Sequence, residues 1–151
     1  MTEDPRVAVR IVLLDPDGRV LLFEGRDLSD PEDSVRFWFT AGGGVDAGGS
    51  LEEAAHRELS EETGKSGLRL VGPFHRREVN FLDHGTPLRQ VEHYFAARAT
   101  DTSLDIQGWT ELETKAMTTW RWWGTDELQR EGVAFFPEEL VDLMERAGEL
   151  V

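Results

Sequence analysis

The chain has 151 residues, 39% of them hydrophobic, with eight Phe and five Trp, so it is long enough and apolar enough to fold around a sizeable core. It has no cysteine, which excludes disulfides and thiolate-bound zinc. The formal net charge of −14 repels nucleic-acid backbones at long range, so no polymeric nucleic-acid partner is expected, and any polyphosphate substrate needs a cation between it and the protein.

Residues 1–5 are polar and acidic, without the basic start and apolar core of a signal peptide, and no apolar run is long enough to cross a bilayer. A cytoplasmic protein with no membrane partner is expected, its single domain covering 1–151. In chain order, strands are expected over 7–14 and 20–23, joined by the turn Asp15-Pro16-Asp17-Gly18. Residues 25–34 read as loop and 35–40 as an aromatic strand running into Gly42-Gly43-Gly44. Ser50 and Glu53 form a capping-box pattern for a helix that reaches 62 or 63 and stops at Gly64. Strands follow over 68–71, 74–82 and 91–99, with a loop at 83–87. A further strand is expected over 117–123, a short helix over 125–129 capped by Thr125, and a C-terminal helix over 137–147 with Pro137 in its first turn. This order predicts an α/β protein in which helices cover a mixed β-sheet.

The helix after Ser50 carries the chemistry. At roughly 100° per residue, Leu51, Ala54, Ala55 and Leu59 form its inward stripe. Glu58 and Glu62, four apart, fall within that stripe, while Glu61 lies at its edge beside Arg57. Carboxylates on a core-facing stripe are unfavourable unless paired, hydrogen-bonded or bound to a cation. A hard divalent cation with oxygen ligands meets that demand. The preceding glycines place bare backbone beside the carboxylates, where it can meet a metal or a phosphate.

Together these segments resemble the Nudix box: a glycine, five residues, a glutamate, seven residues, then Arg-Glu-hydrophobic-any-Glu-Glu-any-Gly-hydrophobic. Gly43 opens the pattern, and Arg57-Glu58-Leu59-Ser60-Glu61-Glu62-Thr63-Gly64 closes it in register. Gly49 stands in place of the first glutamate and Lys65 in place of the closing apolar residue. Ala41 replaces a proline common before the glycines, and Asp46 is a candidate to compensate for Gly49.

The resemblance implies an α/β/α sandwich with a loop-helix-loop catalytic motif, and hydrolysis of a phosphoanhydride bond with Mg²⁺, for which Mn²⁺ can substitute. It assigns Glu58 and Glu62 as principal metal ligands, Glu61 as a further ligand or the general base, and the Gly42 carbonyl as an additional ligand. Arg57 would hold a carboxylate in place. Glu113, with Glu111 close behind, would supply another acid from a later loop. The proline of ADP-ribose-cleaving relatives is missing from 79–82, and the only tyrosine, Tyr94, lies too far along for a dinucleoside-polyphosphate enzyme. A small nucleotide such as a nucleoside triphosphate, or another nucleoside diphosphate derivative, is therefore the expected substrate, and a homodimer is suggested by similar proteins. Gly49 motivates the alternative, a catalytically weakened nucleotide-sensing or protein-binding module. Arg76, Arg77 and Arg89 are candidates to meet phosphates or are ordinary surface charges.

Overall fold

The computed structural model describes residues 5–26, 32, 36–83, 85–106, 109–111, 114 and 117–151. Seven strands form one mixed sheet: β1 (Arg6–Leu14), β2 (Val20–Arg26), β3 (Arg36–Gly44), β4 (Val71–Asp83), β5 (Thr86–Arg98), β6 (Met117–Trp123) and β7 (Phe135–Phe136). The order is β4-β5-β1-β2-β3-β7, with β6 on β2 and a further β1–β3 pairing. β1 runs parallel to β5, and β3 parallel to β7; the remaining pairs are antiparallel.

Alternation along β1 builds two cores. Val9, Ile11 and Leu13 pack with Ala54, Ala55 and Leu59 of helix α1 (Leu51–Thr63). Val12 and Leu14 face the other way, onto Leu140, Leu143, Met144 and Ala147 of the C-terminal helix α3 (Leu140–Leu150). Leu128 of the short helix α2 (Thr125–Glu131) joins this second layer. Each large apolar side chain buried this way stabilises by about 1.5–3 kcal/mol. The result is the expected α/β/α sandwich. Trp122 and Trp123 are both buried, as a core role for that aromatic segment requires.

Several boundaries differ from expectation. Residues 68–70 of the strand predicted at 68–71 are not in a strand; Val71 joins the strand predicted at 74–82 in one element, β4, which crosses Gly72-Pro73 through a register shift between Val71 and His75. The hairpin with β5 reaches much nearer its tip than the predicted 83–87 loop allows, because paired backbone continues to Asp83–Thr86. The glycines extend β3 instead of ending it, since Gly42, Gly43 and Gly44 pair with β1. Gly124, not Thr125, caps α2, with the Glu127 carboxylate accepting its N–H at 3.0 Å. Pro137 precedes α3 by a turn, its carbonyl accepting the Leu140 N–H at 3.1 Å, because 135–136 is held as a strand against β3.

Candidate active site

Helix α1 begins where the Ser50 hydroxyl accepts the Glu53 N–H at 3.0 Å. It ends at Gly64, whose left-handed backbone returns its N–H to the Ser60 carbonyl at 2.9 Å. Downstream chain covers this end. Asp105 N–H bonds the Thr63 carbonyl at 2.9 Å, and the Trp109 indole N–H bonds the Glu62 carbonyl at 2.8 Å. Carbonyls that the helix itself leaves without partners are thereby satisfied.

Between those ends, α1 lays its carboxylates against the glycine end of β3. Glu62 is only 4% exposed, and its Oε2 accepts the Gly42 N–H at 3.0 Å. The Glu58 carboxylate lies so close over Gly43 that a Cβ there would stand 2.6 Å from its Cδ. Gly42 adopts φ 153°, where a Cβ would meet the Val9 carbonyl at 2.1 Å. Gly42 is therefore required by close approach of backbone, while a side chain at 43 would displace the Glu58 carboxylate. Gly42 meets Glu62 through its amide, a contact the expected carbonyl-to-metal role did not anticipate. Glu61 is exposed on the same helix. Among the described residues no group of three or more acidic or histidine side chains gathers closely enough to form a complete metal cage. The two carboxylates the structure brings together are Glu58 and Glu62. Glu111 is exposed after Trp109, and Glu113 lies outside the described residues.

Arg57 knits the loop to the helix. Its Nη1 donates to Asp46 Oδ2 at 3.2 Å and its Nη2 to the Gly44 carbonyl at 3.1 Å, while Nη2 stands 3.6 Å from Glu58 Oε1. Asp46 reaches Arg57 through a tight turn closed by Gly49 N–H to the Asp46 carbonyl at 2.9 Å. Asp46 thus pairs with Arg57 from three residues before Gly49. Lys65 is accommodated as well: its side chain is 12% exposed and its ammonium donates to Asp101 at 2.9 Å. With help from Ser103, Lys65 holds the Asp101 carboxyl down to about 2.

A cavity of about 640 Å³ meets this loop at Gly43. Phe37, Phe39 and Phe136 supply aromatic surface; Arg6, Arg10 and Arg77 supply positive charge; Asn80 and Gln90 supply amides. Glu92 organises its floor. The buried carboxylate accepts from Arg10 Nε at 3.0 Å, Gln90 Nε2 at 3.1 Å, Tyr94 Oη at 3.2 Å and Arg77 Nη1 at 3.2 Å. Burial pushes the Glu92 carboxyl up, but Arg10, Arg77 and Tyr94 outweigh it and hold it below its ordinary value. Burial and the Glu92 charge push the Tyr94 hydroxyl well up. Sequence reading missed Glu92, Arg6 and Arg10. The available signal was the alternation Gln90, Glu92, Tyr94, Ala96, which places a carboxylate in line with core residues.

Residues 4–144 match the family model described as the NUDIX domain. The RNA pyrophosphohydrolase of Caulobacter vibrioides is 34% identical over 137 residues, covering 81% of this chain and 73% of the relative. That of Sphingopyxis alaskensis is 31% identical over 158 residues, covering 97% and 94%. Among solved structures, the Escherichia coli dihydroneopterin triphosphate pyrophosphohydrolase superposes with a TM-score of 0.66 at 19% identity, covering 95% of this chain and 97% of that one. The chain belongs to the Nudix family. Its activity is that of a pyrophosphohydrolase, cleaving phosphorus-containing acid anhydrides.

These relatives overturn one expectation, the exclusion of polymeric nucleic acid: they are RNA pyrophosphohydrolases. The physical reason is that a net charge is a sum over the whole surface. A nucleic acid meets a local field, and this acidic chain collects Arg6, Arg10 and Arg77 around one cavity.

The Arg57 geometry yields an expected result. Asp46→Asn lowers kcat about tenfold by loosening Glu58, with little change in KM. Melting temperature barely moves, because so exposed an ion pair adds little stability. Gly49→Glu in the Asp46→Asn background is expected to restore part of kcat: Gly49 has no positive φ, and a Cβ there stands 3.1 Å from the Asp46 carbonyl, which must give by a few tenths of an ångström. Steady-state kinetics on the single and double variants check this; unchanged kcat in Asp46→Asn contradicts it.

Proposed function

We propose that this enzyme hydrolyses a phosphoanhydride at the 5′ end of an RNA strand, with Mg²⁺ held by Glu58 and Glu62. The observation that carries this reading is that Gly43 belongs at once to the carboxylate seat and to the aromatic, arginine-rich cavity. A phosphate chain at the carboxylates therefore has a nucleoside-sized space beside it. The RNA assignment draws on the relatives' names. Internal RNA linkages are phosphodiesters, so a pyrophosphohydrolase finds an anhydride only at a polyphosphorylated 5′ end.

Family enzymes generally use divalent metal ions, and the residues here suit one. Two carboxylates one helical turn apart over bare glycine backbone form an all-oxygen donor set, hard enough for Mg²⁺. When bound, Mg²⁺, or Mn²⁺ in its place, supplies charge neutralisation at phosphate oxygens and a lowered pKa for water. The chain's own groups do the remainder. Gly42 N–H fixes the orientation of Glu62, and Arg57 steadies Glu58 and the loop. Glu61, exposed beside them, takes the proton as water adds to phosphorus and the P–O–P bond breaks. Glu111 and Glu113 are the candidates for a further acid. Arg10 and Arg77 face the remaining phosphate charge from the cavity. No helix among the described residues is long and apolar enough to cross a membrane.

A 12-nucleotide RNA with a 5′ triphosphate, incubated with enzyme and Mg²⁺, is expected to release phosphate or pyrophosphate and become a 5′ monophosphate. Hydrolysis of nucleoside triphosphates with no turnover of that RNA would overturn the reading in favour of a small nucleotide.

A further inference from the structure

We infer that the open face of β4 and β5 beside the carboxylate pair is a track for the body of the RNA strand, with Arg76 and Arg89 meeting its phosphates. This rests on the RNA-end reading above.

The ladder registers place the track. Gly43 pairs with Val9, Val9 with His93, and His93 with Arg76, so four residues form one row across β3, β1, β5 and β4. Partners in register project from the same face of a sheet. At Gly43 that face carries the Glu58 carboxylate. At Val9 it packs on α1, and so does Phe95, two residues beyond His93. Arg76 therefore stands on the side of the sheet that carries the candidate metal ligands. Three strand spacings of about 4.8 Å put it roughly 14 Å from Gly43. At about 3.4 Å per stacked nucleotide, that is roughly four nucleotides of RNA.

Charge points the same way. Arg89 stands opposite Asn80, on the same face as Arg76. Both arginine side chains are well exposed, and both lean on one carboxylate: Arg89 Nε is 3.2 Å and Arg76 Nη1 3.7 Å from Glu78. Two guanidinium groups sharing one carboxylate leave a net positive patch on a chain of charge −14. Exposed pairs of this kind are weak and give way to phosphate. A single strand anchored by its 5′ end at the carboxylates can thus lay later phosphates on Arg76 and Arg89 at the exposed end of the same face.

The test compares kcat/KM on a 5′-triphosphorylated dinucleotide, too short to reach the track, with that on a 5′-triphosphorylated 12-mer. Arg76→Ala/Arg89→Ala is expected to lower kcat/KM on the 12-mer about tenfold more than on the dinucleotide. Its log–log salt slope for the 12-mer should become shallower by about 1.4, for two lost phosphate contacts on a single strand. Glu78→Gln releases both arginines and is expected to raise kcat/KM on the 12-mer. Equal changes on both substrates, or an unchanged salt slope, would overturn the track while leaving the RNA-end reading intact. Failure of the unaltered enzyme to hydrolyse either RNA would overturn both.

Discussion

Glu58→Gln and Glu62→Gln are each expected to lower kcat for phosphoanhydride hydrolysis by about a thousandfold, which is about 4 kcal/mol of transition-state stabilisation. Each substitution removes one of the two carboxylates gathered over Gly42 and Gly43, which are the proposed metal ligands. Neither needs to disturb the fold. Gln at 62 keeps a carbonyl oxygen for the Gly42 N–H, and Gln at 58 fits where the carboxylate now lies. The companion measurement is thermal. Mg²⁺ raises the melting temperature of the unaltered protein by mass action and loses most of that effect in either variant. Turnover within tenfold of the unaltered enzyme in either variant would remove that residue from the metal site.

Glu92→Ala has the largest expected effect on stability, a loss of about 3 kcal/mol measured by denaturant unfolding. It removes the carboxylate to which Arg10, Arg77, Gln90 and Tyr94 all now donate, while Arg77 keeps its 3.7 Å pair with Glu139. Arg10 and Arg77 retain some contact with water, which keeps the loss at the lower end for a buried ion network. The same network sets an acid limit. The folded Glu92 carboxyl lies below its ordinary 4.5, so the unfolded chain binds its proton first as pH falls. Its stabilisation is complete above that ordinary value and drains as pH falls through the lower folded one. Unfolding between pH 6 and 3 should therefore show a steep loss in the parent and a shallower one in Glu92→Ala. Equal pH slopes would remove Glu92 from this role. Because Arg10 and Arg77 also line the cavity, the variant should show a raised KM at neutral pH.

What could be read without coordinates followed from how each element meets its surroundings. α1 was legible because a helix with apolar residues on one stripe makes any carboxylate on that stripe conspicuous; Glu62 is buried there as the wheel requires. The helix-covered mixed sheet followed from the order of strands and helices along the chain. The tip of the β4–β5 hairpin was underestimated because Asp83, Gly85, Thr86 and Pro87 read as turn residues, and Arg89 and Gln90 gave no apolar start for β5. Glu92 hid in β5: one carboxylate between Val91 and His93 looks like surface until a parallel strand, 82 residues away through Arg10, lies beside it. The Arg57–Asp46 contact depended on the path of a glycine turn, which spacing does not specify. Net charge misled because it carries no geometry.

The seal on the far end of α1 also bears on when the enzyme becomes whole during synthesis. Glu62 is tied to β3, 20 residues before it, and to Trp109, 47 residues after it. Trp109 in turn rests edge-on against Phe23 and Trp120. A nascent chain that has passed the ribosomal exit only as far as α1 has all of its box residues but neither the β5 neighbour of β1 nor the indole that closes the helix. Fragments ending before residue 109 therefore lack a finished site, and the protein becomes competent only after more than two thirds of it has emerged.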